Sequence, residues 1–344
     1  MKKRILRGQG LILSLLCLYS FIKNDQLAAF DDVCDFRSSA FSSNAGFCEY
    51  LLLKPCVDDL DFALKSSQDV VTEEHPEGNG KFQKLDPGWK SGFRFGMSKN
   101  AIVQNFGLSF QYMYVKGEET KTVFRDEGSL AATLVHLGNV TVNSFNPNEA
   151  KAKWTLRFQS FDVFLNHPIA YEECTVFTPY FGAEGLIIHQ MIKSEFIELT
   201  QSMKSRWESD SFGVGIVIGT RFDWHWLECF NFFADVSARI IRQVSDMDDH
   251  FRIELNASAD QNFKFRYDEC LITSGYRMAF GFEFMQEFCN LLLNIDVGYE
   301  FMSFSNIPNP RRYVTGGDGL PVSTSPSTSS LGWHGIFAGM RISF

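Results

Sequence analysis

Residues 332–344 read GWHGIFAGMRISF and end the chain. Ile336, Ala338, Met340, Ile342 and Phe344 alternate there with Gly335, Phe337, Gly339, Arg341 and Ser343. This is the period of two that marks a strand with unlike faces. Ends of soluble domains usually fray. A strand that keeps its pattern to the last residue needs a paired neighbour and a dry surface for its apolar face.

The same alternation recurs upstream. Phe106, Leu108, Phe110, Tyr112 and Tyr114 share one face, as do Phe212, Val214, Ile216 and Ile218. Phe230, Phe232, Val236 and Ile240 oppose Asn231, Asp235, Ser237 and Arg239. Ile272, Tyr276, Met278, Phe280, Phe282 and Phe284 form another such face, and Leu291, Leu293, Ile295, Val297, Tyr299 and Phe301 a further one. The run WTLRFQSFDVFL (154–165) alternates too but changes phase near Ser160, which suggests a bulge. Ten strands are expected, at about 45–54, 88–98, 104–116, 151–166, 173–190, 208–221, 228–241, 271–285, 288–302 and 333–344. Short connections (99–103, 167–172, 222–227, 286–287) alternate strictly with long ones (55–87, 117–150, 191–207, 242–270, 303–332). That is the rhythm of an antiparallel up-and-down transmembrane β-barrel with short periplasmic turns and long extracellular loops. Twelve strands are the alternative, because SLAATLVHLG (129–138) has room for an added hairpin.

The chain has 344 residues and a formal charge of −9, which gives a nucleic-acid partner no support. It holds 35 Phe, yet its mean hydropathy is only −0.11, so the aromatics are dispersed by alternation rather than gathered in blocks. Lys2, Lys3, Arg4 and Arg7, the apolar run Leu11–Ile22 and the small-residue site Leu27-Ala28-Ala29 read as a cleaved signal peptide over 1–29. Residues 30–44 then form a periplasmic N-terminal segment and 45–344 the barrel. No later stretch has eighteen consecutive apolar residues, so an exported chain of this kind crosses a membrane with strands or not at all.

A secreted sandwich or lipocalin-like barrel would show the same alternation with its apolar face inward. Three features favour lipid. The strands expected from 173 onward carry Arg and carboxylates among glycines but no Lys, as suits a confined polar lumen rather than a watery sheet face. Trp89, Trp154, Trp207 and Trp333 each start a strand that runs in from a long loop, and Trp224 and Trp226 lie near a turn, as in a two-ringed aromatic girdle. The terminal strand ending in Phe344 has the form of an assembly signal for the barrel-insertion machinery.

GFCEYLLLKPCVDDLDFAL (46–64), DPGWKSGFRFGM (86–97), AKWTLRFQSFDVFL (152–165), TPYFGAEGLIIHQMI (178–192), FGVGIVIGTRFDW (212–224), NIDVGYEF (294–301) and the closing GMRISF follow one another in a fixed order. This series resembles the major-outer-membrane-protein-like, pore-forming family of Legionella and the environmental chlamydiae. The resemblance implies a porin-like or adhesin-like protein of the bacterial outer membrane and no catalytic residues.

No HExxH, CxxC, GxSxG or phosphate-loop pattern occurs, and Ser109 and Ser274 have no evident His partner. His189 reads as a rim or loop residue rather than a ligand. An enzyme, a cofactor and a metal are therefore not expected. The candidate site is the lumen, with Arg94, Arg157, Glu184, Asp235, Arg239, Arg277, Glu283, Asp296, Glu300 and Arg341 lining a narrow pore for small solutes or ions. The inward glycines Gly215, Gly219, Gly275, Gly281, Gly298, Gly335 and Gly339 are expected to leave it some space. The alternatives are a salt-bridged structural barrel, or an adhesin acting through loops 117–150 and 303–332. Cys34, Cys48, Cys174, Cys229 and Cys289 are placed at the periplasmic rim, as candidates for disulfides to a second copy or to cysteine-rich envelope proteins. The remaining partner is outer-membrane lipid.

Overall fold

The computed structural model describes residues 44–66, 80–103, 106–126, 128–132, 147–171, 174–199, 201–227, 229–255, 261–288, 291–310, 314–315, 321–322 and 328–344. The expected signal peptide, the segment 30–43, Cys34 and Cys289 lie outside them.

Ten strands close on themselves. They are β1 (Ala45–Val57), β2 (Lys90–Val103), β3 (Phe106–Phe124), β4 (Glu149–Asn166), β5 (Thr175–Ile197), β6 (Gln201–Leu227), β7 (Phe230–Leu255), β8 (Gln261–Phe288), β9 (Leu291–Pro308) and β10 (Thr328–Ser343). Each pairs antiparallel with its sequence neighbours, and β1 pairs with β10 from Ala45↔Ser343 to Val57↔Leu331, so no edge is left. The ladder runs to the chain's last residue: the Asn44 and Phe344 amides each donate to the other's carbonyl, at 3.1 and 2.9 Å. The paired neighbour demanded by the terminal alternation is β1.

The segment 129–132 does not enter the barrel as an eleventh and twelfth strand. Ser129–Ala132 joins Asp61–Ser66 and Gly80–Lys84 in a separate three-stranded sheet at the loop end. Leu60, Phe62 and Leu130 from this region are buried in the same core as the barrel's own apolar side chains, so the sheet lids that mouth.

Strand length departs from expectation. β5, β6, β7 and β8 run for 23, 27, 26 and 28 residues. A membrane crossing needs only about 9–11. Most of the expected loops 191–207 and 242–270 are therefore wall: the barrel continues well past the bilayer as tall hairpins. The longer strands do carry lysines, Lys193, Lys204 and Lys264, all beyond the apolar band.

The two halves of the barrel have opposite interiors. Near the turns and termini the outer surface is apolar, with Phe212, Val214, Ile216, Ile218, Val236, Ile240, Phe280, Phe282, Ile295, Val297 and Ile336 all exposed. Beyond it the outer face turns polar, and Lys153 pairs with Glu118 at 2.5 Å, Lys204 with Glu254 at 3.0 Å and Arg266 with Asp248 at 2.6 Å. Inside, the order reverses: charged at the membrane level and mainly apolar beyond it, with Gln190, Gln243, Ser245 and Asp249 buried among the apolar side chains. On β4 the apolar residues are Trp154, Leu156 and Phe158 inside, then Phe161, Val163 and Leu165 outside. The apparent phase change at Ser160 is this inversion. No bulge is present, because β4 keeps unbroken register with both β3 and β5.

Candidate functional site: the barrel lumen

Of the ten residues expected to line a pore, nine face the interior. Arg157 does not: it stands on the outer, water-exposed side of β4, opposite Lys116 and His189. It falls on the membrane-far part of the strand, where the polar residues are the outward ones.

The interior charges gather in one layer, as several ion-pair clusters. Glu300, fully buried, lies between two guanidiniums. Arg94 Nη2 donates to it at 2.5 Å and Arg277 Nε at 2.6 Å. Arg94 Nη1 also donates to Glu49 Oε2 at 2.6 Å. Arg277 approaches Asp235 at 3.5 Å, and Tyr180 donates to the same Asp235 oxygen at 2.8 Å. Arg239 Nη1 donates to Glu184 Oε1 at 3.1 Å and lies over the Phe304 ring. Nearer the turns, Arg221 holds Asp223 and Glu283, and Asn231 and Asn294 donate to the two oxygens of Glu283 at 3.1 and 3.0 Å. Arg341 lies over Phe47, 5.7 Å from its centroid. Forked guanidiniums in a closed space are suited to such multiple pairing.

This layer encloses a cavity of about 210 Å³, which reaches the turn end where Ala45, Pro168 and Ser343 line it. Among the described residues the polar half of the lumen holds eight carboxylates (Glu49, Asp162, Glu184, Asp223, Asp235, Glu283, Asp296, Glu300) and five arginines (Arg94, Arg221, Arg239, Arg277, Arg341). Asp162, Glu49 and Asp223 escape the sequence reading, whereas Arg221 belongs to the polar-face arginines of the later strands and joins the candidate set here. Asp162 sits where the phase of β4 was misread.

Past the charges the lumen is filled. Trp154, Trp333, Phe158, Phe196, Phe251 and Phe304 are buried to 2% exposure or less, and Phe158 meets Trp333 edge to face at 4.4 Å. Three of the expected girdle tryptophans, Trp154, Trp207 and Trp333, are thus core residues. The strands run farther than the membrane, so the residue after a long loop is far from the bilayer edge. Trp89 and Trp224 do face outward. The side chain of Trp226 is outside the described set.

The inward glycines do not leave open space either. A Cβ on Gly219 would stand 2.4 Å from the Tyr180 ring, one on Gly298 2.5 Å from Phe337, and one on Gly275 2.8 Å from Arg239 and Phe304. Each is a seat against which a neighbour's large side chain packs. This is the close approach that only glycine permits in a strand.

His189 lies mid-strand on the outer wall, just beyond the apolar band. It bonds Asp210 at 2.7 Å, with Glu208 at 3.9 Å from its other ring nitrogen. The imidazole thus stands between two carboxylates through opposite nitrogens, and Arg206 holds Glu208 as well, at 2.7 Å. Ser109 accepts from Asn166, and Ser274 bonds Ser305. Of the rim cysteines, Cys174 and Cys229 flank short turns, and Cys48 faces outward within the apolar surface, in register with Phe95 and Met340. Among the described residues, Cys48, Cys56, Cys174, Cys229 and Cys270 form no disulfide.

The chain is similar in fold to the outer membrane protease OmpT of Escherichia coli (6% identity, 88% of this chain and 97% of that one, TM-score 0.44). It is also similar to a FadL homologue of Pseudomonas aeruginosa (7%, 89% and 92%, TM-score 0.25) and to the toluene transporter TodX of P. putida (8%, 88% and 89%, TM-score 0.25). No curated protein matches it by sequence. The family model described as the Legionella pneumophila major outer membrane protein precursor matches residues 45–344, the whole span of the closed barrel and its loops. The chain therefore belongs to the Legionella major outer membrane protein family and is a ten-stranded β-barrel of the bacterial outer membrane.

Proposed function

We propose that this protein is a closed, surface-projecting barrel that serves the envelope through its wall and its tall external hairpins, and that it passes no solute in the conformation described. The observation that carries this reading is the close-packed, mainly apolar core across the outer half of the lumen, where Trp154, Trp333, Phe158 and Phe304 pack together beneath the three-stranded lid. A path for water or ions would have to displace them. The reading is non-enzymatic, and a surface that projects well beyond the bilayer is suited to contact with other cells. Planar-bilayer recording of the refolded protein tests it. No steady conductance is expected from the wild type, whereas Trp154→Ala combined with Trp333→Ala should conduct. An ohmic channel from the intact wild-type barrel would overturn the closed reading.

A narrow porin is the second reading, favoured by the charged cavity that reaches the periplasmic end. It needs a second conformation in which the outer core moves aside. The same recording then separates the two, with gated openings whose ion selectivity shifts in Arg239→Gln or Arg277→Gln.

A further inference from the structure

The polar half of the lumen carries three more negative than positive formal charges, the excess of its eight carboxylates over its five arginines. An enclosed charge is costly unless paired. Among the described residues this excess is larger than His225, the remaining titratable base on the cavity wall, could pair, so protons or cations from outside meet the rest. The structure also shows where the excess is least satisfied. Asp162 on β4 and Glu184 on β5 are direct cross-strand partners, both inward and buried to 4% and 1% exposure. Like charges placed opposite each other destabilise a sheet. Each carboxylate has one engaged oxygen: Gln111 donates to Asp162 Oδ2 at 3.1 Å and Arg239 to Glu184 Oε1 at 3.1 Å. The other two oxygens, Asp162 Oδ1 and Glu184 Oε2, are buried with no hydrogen-bond partner. Asp162 lines the cavity, and so do Asn231 and Asn294, whose amide oxygens are likewise buried and unpartnered. The unmet need on these walls is for positive charge and for donors.

We propose that the periplasm-facing vestibule is a cation site, with Asp162 Oδ1 as its anionic ligand and the buried Glu184, its cross-strand partner, adding negative charge behind it. The cavity of about 210 Å³ has room for a metal ion with its waters or for a small organic ammonium. Hard divalent cations take carboxylate, amide and water oxygens of this kind, and a primary ammonium brings three donors. The site lies below the apolar core, so it stands whether or not that core ever opens.

The test is equilibrium dialysis of the folded full-length barrel in detergent at neutral pH, with radioactive calcium in one arm and the diamine putrescine in the other. One of the two should bind at one per barrel and raise the thermal unfolding midpoint with its concentration. Asp162→Asn and Glu184→Gln should each weaken that binding by roughly tenfold or more, the scale of one charge-assisted contact. A His189→Ala, Asp210→Asn double variant, on the outer wall, should leave it unchanged. Calcium alone binding identifies a metal site, and putrescine alone an ammonium site. Loss of folding in the amide variants is met by Val217→Lys. It adds a fixed ammonium to the cavity wall and should fold without binding either probe. Failure of both probes to bind the wild type would overturn the proposal and leave protons as the neutralising charge. So would undiminished binding in Asp162→Asn, Glu184→Gln and Val217→Lys.

Discussion

Glu300 and Arg157 show how much the side of the wall decides. Both are charged residues on alternating strands, and both were expected to line a pore. Glu300 accepts from two guanidiniums in a site closed to solvent. Removing its charge leaves Arg94 and Arg277 short of a counter-ion where water cannot replace it. Glu300→Gln should therefore cost about 3–5 kcal/mol of unfolding free energy, the usual loss when one member of a buried pair is removed. Arg157 faces water, and Arg157→Gln should stay within about 0.5 kcal/mol of the wild type. Urea unfolding of the detergent-refolded protein, read by tryptophan fluorescence, measures both. Equal costs would mean that Glu300 is not the buried, doubly paired anion described here.

At the scale of the strand, the inversion of apolar residues from inside to outside locates the membrane. On β6 the change falls between Trp207, buried inside, and Phe212, exposed outside. Ile216 sits well within the apolar band, and Lys204 stands beyond it, paired with Glu195 and Glu254. Ile216→Arg should cost about 2–4 kcal/mol, as for a cation near the bilayer midplane. Lys204→Ala, which breaks only exposed pairs, should cost about 0–1 kcal/mol. Refolding equilibria into lipid vesicles compare the two. A second measurement is independent of stability: in vesicles, a cysteine placed at Asp210 should react with a water-soluble maleimide, and one at Ile216 should not. Reaction at both positions would move the membrane boundary and undo the division into two halves.

For the whole molecule, the lengthened hairpins, the close-packed outer core and the lid make one plugged barrel rather than a short tube with loops. Rim chemistry then bears on assembly. Cys174 and Cys229 lie beside short turns at the periplasmic end. Outward-running strands alternate with inward-running ones, so rim cysteines on successive outward strands stand about 10 Å apart. This exceeds the reach of a disulfide, about 7 Å between Cα atoms. Cross-links should therefore form between chains. Non-reducing electrophoresis of native membranes, alkylated at lysis, should show high-mass species that disappear when Cys174 and Cys229 become Ser. Cys48, facing lipid, should contribute nothing to them. A monomeric band throughout would end the cross-linking reading.

Local pattern determined the fold class, the ten strands, their antiparallel order and the closure of β10 on β1. These follow from a period of two and from the spacing of turns, both of which are local. The polar face of the membrane band was legible for the same reason, and so nine of ten candidate charges do point inward. Only the tertiary structure decided what fills the barrel. Alternation says that two faces differ, but which face is dry depends on whether lipid or water lies outside at that height. The strands outlast the bilayer, so the answer reverses partway along each of the long ones. Trp154, Trp207 and Trp333 consequently became core, Arg157 became surface, and the step at Ser160 became a boundary instead of a bulge. The pairing of Asp162 with Glu184 also needed the register between two strands, which no single stretch of sequence contains.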